Sequence, residues 1–259
     1  MILLILGLST LLWPDPLIHL DEHFDETPQG DFTSISHPKN LSLVSGGVDG
    51  GKAVRVRIQG DGHYGTTIAY QFAKAGHDEP DELYGRYYVK SGESWDPGRG
   101  GKLPGPSGTY GRAGWGGRPV SGIRGWSARM EFRKSKVREG ETQVFFYTYH
   151  ADMKGQYGSN FYWDIEDRGS LANGRWYCVE TYVKMNTLGK NNGILRGWID
   201  DELAMEKTDL RFRDTRDLKI EQFWFNISYG VKWSSPVDMR LDFVGVVLSN
   251  DRIGMLEKH

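Results

Sequence analysis

The sequence predicts an all-β protein with a single domain, an antiparallel two-sheet β-sandwich of the jelly-roll type. Three observations predict this class. Short segments in which polar and apolar residues alternate recur along the 259 residues, separated by Gly, Asn and Asp turn signals. No long amphipathic-helix pattern, heptad or internal repeat occurs. The 34 glycines and the 33 aromatic residues (9 Trp, 13 Tyr and 11 Phe) suit strands and turns better than helical bundles.

Eight segments carry the period of two that is typical of strands with one buried face. No stretch of changed composition separates them, so we expect residues 21–259 to form one jelly-roll domain. In chain order, the predicted strands are 53–59, 83–90, 126–133, 142–150, 176–185, 193–200, 219–229 and 239–248.

Residues 1–20 begin with the apolar run MILLILGLSTLLW, which is shorter than the roughly 20 residues that a membrane span needs. The run is similar to the apolar region of an export signal, although no Lys or Arg precedes it and no A-x-A cleavage site follows. The alternative is a buried N-terminal strand. We therefore expect a secreted or otherwise extracytoplasmic protein without a membrane span.

Basic residues are distributed unevenly, although 32 basic and 34 acidic side chains give a formal net charge of only −2. Between Arg99 and Arg138 the chain has ten basic residues and a single acidic one, Glu131. Arginine dominates this run and is interleaved with glycine and tryptophan, which favours recognition of carboxylate or phosphate groups. A nucleic acid is disfavoured as the partner, because no basic helix or RNA-binding motif is present.

The segment Gly98–Gly125 is predicted to be a loop, because 11 of its 28 residues are glycine. A loop of this length inside a compact domain is usually either functional or disordered. Its tryptophan and arginines favour a loop that contacts the substrate.

Several kinds of site find little support in the sequence. The single cysteine, Cys178, excludes an internal disulfide and a CxxC pair, and the seven histidines form no HExxH motif. We therefore expect no metal and no cofactor. Asp164 and Glu166 lie on one side of a predicted strand, where two carboxylates can approach the separation used by retaining glycosidases. This pair keeps a glycoside hydrolase open as an alternative.

Three motifs form the strongest constellation: GGKLPG at 100–105, WSARMEFR at 126–133 and YTY at 147–149. In the second motif, alternation places Ser127 and Arg129 on a polar face and Trp126, Met130 and Phe132 on the apolar face. The apolar face is expected to be core. The polar face is then available to solvent or to a ligand.

These motifs resemble the alginate-lyase-like polysaccharide lyases of family fourteen, which are β-jelly-roll enzymes. The resemblance covers roughly Tyr84 to the C-terminus, and the order of the motifs is more specific than any one of them. Carried over by position, the resemblance implies the catalytic residues Lys102, Ser127, Arg129, Tyr147 and Tyr149. We expect substrate contacts from the arginine-rich loop and the neighbouring strands, namely Arg112, Trp115, Arg118, Arg124, Arg133 and His150.

The resemblance implies β-elimination on an anionic, 4-linked polyuronate such as alginate or glucuronan, performed by a monomer. Arg129 and Ser127 would stabilise the charge that develops on the uronate carboxylate. A tyrosine would act as base if positive charge from Lys102 and Arg129 favours its phenolate. Tyr149 is the first candidate and Tyr147 its partner or a substrate ligand, although the two roles can be exchanged. A non-catalytic, lectin-like jelly roll is the alternative of a different class.

Overall fold

Two antiparallel β-sheets form the fold. The computed structural model describes residues 17–230 and 233–256. Its strands, in chain order, are β1 (Ile18–Glu22), β2 (Ser34–Ser36), β3 (Leu41–Ser45), β4 (Lys52–Ile58), β5 (Tyr64–Gln71), β6 (Glu82–Ser91), β7 (Gly101–Leu103), β8 (Gly105–Gly108), β9 (Trp126–Lys134), β10 (Thr142–Tyr149), β11 (Ser159–Tyr162), β12 (Ser170–Leu171), β13 (Tyr177–Lys184), β14 (Gly193–Ile199), β15 (Glu202–Leu210), β16 (Gln222–Tyr229) and β17 (Met239–Ser249). The described helices are short 3-10 turns at Pro38–Asn40, Phe72–Ala75 and Ile165–Asp167.

The strand order confirms the predicted two-sheet sandwich. The eight-stranded sheet runs β15-β14-β13-β6-β17-β4-β3, and β1 pairs with the C-terminal end of β17. The nine-stranded sheet runs β11-β10-β9-β7-β16-β5-β2, with β12 beside β10. Strands β7 and β8 share one position in this sheet, because both pair with β9 and with β16.

Alternation along the strands builds the core between the sheets. As predicted, Trp126, Met130 and Phe132 of β9 are buried. Phe223 and Phe225 of β16 join the same cluster. The opposite face of the nine-stranded sheet carries the polar residues of the same strands, and we call it the polar face.

The eight predicted strands all form, as β4, β6, β9, β10, β13, β14, β16 and β17, with ends shifted by up to three residues. The prediction that all of Gly98–Gly125 is loop is wrong, because β7 and β8 lie within it. Their glycines permit close strand packing. A Cβ on Gly105 would lie 2.6 Å from the carbonyl oxygen of Ala128, so a larger residue would force the strands apart.

At the N-terminal end, β1 pairs with β17 along Ile18–Glu22. Residues 1–16, which contain the predicted export signal, lie outside the described residues. Within the described residues, no helix is both long enough and apolar enough to span a bilayer.

Candidate active site

Strand register brings the five predicted catalytic residues together on the polar face. Across the β9–β10 pair, Arg129 lies opposite Tyr147 and Ser127 lies opposite Tyr149. Across the β7–β9 pair, Lys102 lies opposite Glu131, two residues from Arg129. Directly opposed side chains share a face of an antiparallel sheet. Five residues from three separate motifs therefore form one cluster.

Arg129 is a buried guanidinium at the centre of this cluster, with only 5% of the residue exposed. Its Nη1 donates a hydrogen bond to Oδ1 of Asn226 at 3.0 Å, and its guanidinium carbon lies 4.2 Å from the centre of the Trp224 ring. Its Nε is buried without a partner, and among the described residues it forms no ion pair with a carboxylate. Burial lowers the pKa of Arg129 to about 10, so the group stays charged at neutral pH.

Lys102 lies between a carboxylate and an aromatic ring. Its ammonium contacts the carboxylate of Glu131 and lies 4.3 Å from the centre of the Tyr147 ring. Burial, followed by repulsion from the guanidinium of Arg129, lowers the pKa of Lys102 well below its usual range, and the contact with Glu131 opposes this shift. Lys102 is therefore deprotonated more readily than an exposed lysine.

Tyr147 is partly exposed on the polar face, and its hydroxyl lies 3.4 Å from the hydroxyl of Tyr149. Burial, followed by the hydrogen bond with Tyr149, raises the pKa of Tyr147, although the charge of Arg129 acts in the opposite direction. At Tyr147 the charge of Arg129 favours the phenolate, as expected, but burial outweighs it. The Tyr147 phenol holds its proton more firmly than an exposed tyrosine does.

Tyr149 is fully buried under the glycine-rich loop that follows β8. The backbone N–H of Gly117 donates a hydrogen bond to the Tyr149 hydroxyl at 3.0 Å. The Tyr149 ring packs in one cluster with Ala113 and Val120 of the same loop. Of the two tyrosines, Tyr147 is the one that reaches the open part of the polar face.

Ser127 is also covered by this loop. Its Oγ donates a hydrogen bond of 2.6 Å to the carbonyl oxygen of Gly114. Gly114 has a φ of +97°, and a Cβ there would lie 2.9 Å from the carbonyl carbon of Trp126. Both features favour glycine, because L side chains rarely adopt this backbone conformation. The loop is therefore attached directly to two of the candidate residues, Ser127 and Tyr149.

Comparison with known proteins identifies the family. The sequence model of Polysaccharide lyase 14 matches residues 52–246, a range that contains the whole cluster. The chain belongs to polysaccharide lyase family 14. The predicted activity class is thereby confirmed, and the protein is a polysaccharide lyase.

Solved structures similar to the lyase share its jelly roll. A variant of the alginate lyase Aly36B in complex with alginate tetrasaccharide is 22% identical with a TM-score of 0.72, and the match covers 91% of this chain and 98% of that one. The PL-14 alginate lyase from Aplysia kurodai is 19% identical with a TM-score of 0.71, over 90% and 98% of the two chains. The endo-β-1,4-glucuronan lyase from the fungus Trichoderma reesei is 12% identical with a TM-score of 0.57, over 89% and 94%. No curated protein matches the sequence.

Among the predicted substrate-binding residues of the lyase, Arg133 lies on the polar face. Its guanidinium carbon is 4.1 Å from the centre of the Tyr162 ring. Arg133 follows Arg129 by four residues on β9, which corresponds to about 14 Å along a strand. In the loop, Arg118 is exposed and stacks on Trp115 at 4.2 Å. The remaining two predicted residues are exposed, Arg112 and Arg124.

The structure places His150 elsewhere, which contradicts its predicted role in binding. The His150 ring lies 5.9 Å from Phe161, and its Nε2 is 2.9 Å from Oγ of Ser159. Phe161 is opposed to the core residue Phe146 across the β10–β11 pair. His150 follows the last residue of β10, and its contacts with Ser159 and Phe161 place its side chain away from the polar face.

The positions of Asp164 and Glu166 do not support the glycoside hydrolase alternative. The predicted strand around Asp164 is absent, because β11 ends at Tyr162 and a 3-10 turn covers Ile165–Asp167. Asp164 and Glu166 are exposed, and Arg168 donates a hydrogen bond of 2.6 Å to Glu166. Neither acid belongs to the cluster around Arg129.

Sequence reasoning missed three residues of β5 and β16 that support Arg129. Trp224 and Asn226 contact its guanidinium, and Nδ2 of Asn226 donates to Oγ1 of Thr67 at 2.8 Å. The alternation in QFWFNISY could have indicated them, because it places Trp224 and Asn226 on the face of the strand opposite to the core residues Phe223 and Phe225. Within the described residues there is no group of three or more His, Cys, Asp or Glu that could hold a metal ion.

Proposed function

We propose that the lyase cleaves an anionic, 4-linked polyuronate such as alginate or glucuronan by β-elimination. The observation that carries this proposal is Arg129, a buried guanidinium that has no carboxylate partner among the described residues. Arginine in such a setting suits the planar carboxylate of a uronate unit. The structural neighbours support the proposal, since they include alginate and glucuronan lyases.

The chemistry sets what the site must supply. The C5 proton of a uronate is barely acidic beside an ionised carboxylate, and its removal places further negative charge on that group. A fixed cation that approaches the carboxylate stabilises this charge most in the transition state. Arg129 is held in place by Asn226 and Trp224 and meets this requirement.

We assign the two proton transfers to Lys102 and Tyr147, on their positions beside Arg129 and on the directions of their pKa shifts. Lys102, which lies over the Tyr147 ring and whose pKa is lowered, is the proposed base, and once deprotonated its amine takes the C5 proton. The electron pair of the C5–H bond forms the C4=C5 double bond as the C4–O4 bond breaks. Tyr147, whose pKa is raised, is a phenol that donates its proton to the departing O4. The products are a chain that begins with an unsaturated uronide and a chain with a new reducing end, whose anomeric hydroxyl carries the departed oxygen.

Tyr149 and Ser127 then act as positioning residues. The Tyr149 hydroxyl lies between the N–H of Gly117 and the hydroxyl of Tyr147, and so links the loop to the proposed acid. Ser127 fixes the same loop at Gly114. A polymeric substrate of this kind is met outside the cell, which supports the expected export of the protein.

The test is incubation with purified alginates and glucuronan while the ultraviolet absorbance of the conjugated double bond is followed. We expect absorbance to rise with the natural protein and to be lost with Tyr147→Phe and with Lys102→Met. Tyr84→Phe is the matched control, because Tyr84 lies on β6 in the other sheet, where it pairs with Ser249 of β17. If polyuronates bind without forming the chromophore, the lectin-like alternative is favoured. Saturated products would indicate hydrolysis instead.

A further inference from the structure

An exposed aromatic pair lies on the polar face at a distance from the catalytic cluster. Tyr64, the first residue of β5, is 56% exposed. Its ring is stacked on that of His37, with ring centroids 5.2 Å apart and planes 10° apart. His37 covers one face of the Tyr64 ring, and the exposed area lies on the remainder. We call these two residues the His37–Tyr64 platform.

Strand register connects the platform to the active site. Tyr64 is opposed to Ser228 on β16, and Ser228 is opposed to Lys102 on β7. The row continues through Glu131 to the far strands of the sheet. From one edge to the other its members are Tyr64, Ser228, Lys102, Glu131, Phe145 and Tyr162.

The row gives a direction and a length for a bound polymer. Neighbouring strands lie about 4.8 Å apart, so Tyr64 is about 10 Å from Lys102 across the sheet. A pyranose ring is shorter than this gap. A sugar on Tyr64 is therefore a unit of the same chain that lies beyond the bond cleaved beside Lys102. At the other end, Tyr162 lies beneath Arg133 and closes the row with another aromatic ring.

The platform is held in a fixed arrangement by a buried side chain. Nδ2 of Asn40 donates hydrogen bonds to the carbonyl oxygens of Tyr64 and Gly65, at 3.0 and 2.8 Å. The N–H of Asn40 also binds the carbonyl oxygen of His37 at 3.1 Å. His37 itself has a left-handed φ of +57°, which is uncommon for a residue other than glycine. The structure thus maintains an unfavourable backbone conformation where the two rings stack.

From these observations we infer that the His37–Tyr64 platform is a distal subsite on which one uronate ring of the substrate stacks. An aromatic ring offers the apolar face of a pyranose a large, rigid surface at small entropic cost. The inference rests on the proposed function for the identity of the sugar. It assigns the platform to binding of long chains and gives it no part in the proton transfers.

The test uses a ladder of oligouronates from the polymer that the enzyme cleaves. Tyr64→Ala is expected to leave kcat/KM unchanged for the shortest substrate and to lower it about ten-fold for the longest, through KM. Tyr64→Phe keeps the ring and should behave as the natural protein. His37→Ala should repeat the loss, whereas His23→Ala should not, because His23 pairs with Asp21 and Asp49 away from the row.

Binding measured in the Tyr147→Phe background separates this inference from the proposed function. There, Tyr64→Ala should weaken the Kd of long oligouronates and leave that of short ones unchanged. Such a length-dependent loss supports the platform even if no chromophore forms, in which case only the β-elimination proposal fails. An equal loss at every length, no loss at any length, or no binding of polyuronates overturns the platform.

Discussion

Replacement of Arg129 by methionine should lower turnover by two to three orders of magnitude without weakening the fold. The guanidinium is buried, makes one hydrogen bond to Asn226 and has no carboxylate partner among the described residues. Replacing a buried ion pair by apolar groups of similar volume is often neutral or stabilising by about 1–4 kcal/mol, and Arg129 has no carboxylate partner whose attraction would be lost. The Asn226 oxygen left without a donor costs about 1 kcal/mol. The net gain of at most roughly 3 kcal/mol corresponds to a rise in Tm of up to about 12 °C.

The activity should move in the opposite direction. Loss of a preorganised donor at developing negative charge lowers kcat about 10²- to 10³-fold. Because the same charge binds the carboxylate in the ground state, KM should also rise. Initial rates of chromophore formation and thermal unfolding curves of the purified variant measure both effects.

Arg55→Met is the matched control, since Arg55 makes a bidentate ion pair with the buried Asp242, at 2.7 and 2.9 Å, in the other sheet. Removing one partner of a buried pair costs about 3–5 kcal/mol, so its Tm should fall by about 6–20 °C while kcat stays unchanged. The reasoning is refuted if Arg129→Met lowers Tm as Arg55→Met does, or if it keeps near-natural turnover.

Three further predictions concern pH, the loop and salt. The pKa of Lys102 is lowered from its usual range and that of Tyr147 is raised. We therefore expect kcat/KM to rise with pH as Lys102 loses its proton and to fall only at the higher pH where Tyr147 loses its own. A value of kcat/KM that does not change with pH below 10 would contradict this. Gly114→Ala should reduce both kcat and Tm through its clash with Trp126, whereas Gly111→Ala, also at positive φ but with open space around it, should affect Tm only slightly; equal effects would remove the argument. KM for the polymer should increase with ionic strength, because screened charges attract the polyanion; a constant KM would show that the basic run does not act on it.

Alternation in the sequence was sufficient to predict most of the sandwich. The pattern of Trp126–Lys134 determines which side of β9 is buried, because the period of two is a local property of the strand. Strands β7 and β8 have no such pattern. Glycine at 101, 105 and 108 is required by the backbones of β9 and β16 and by residues near them, which approach from distant parts of the chain. The segment that forms β7 and β8 therefore has the composition of a turn, although it lies in the middle of a sheet.

The active site could also be predicted in part. Local motifs indicated its residues, but not the features that depend on packing between distant parts of the chain. Lys102, Ser127, Arg129 and the two tyrosines lie on the polar face, as the motifs implied. Burial of Tyr149 depends on where Ala113 and Val120 fold back over β10, which no local pattern records. The shifts in pKa of Lys102 and Tyr147 depend on the same long-range packing. The sequence alone therefore could not show whether a tyrosine at this site would lose its proton.

The glycines that concealed β7 also explain how a lysine comes to lie beside an arginine. A Cβ on Gly101 would contact the carbonyl oxygen of Ser228, and a Cβ on Gly105 would lie 2.8 Å from Cα of Arg129. Without these side chains the backbone of β7 and β8 fits closely between β9 and β16. Lys102 is then held within Coulombic range of Arg129 and over the ring of Tyr147. Burial of Lys102 in this packing, followed by repulsion from Arg129, raises the free energy of the protonated lysine, so the close strand packing that glycine allows favours the proposed base.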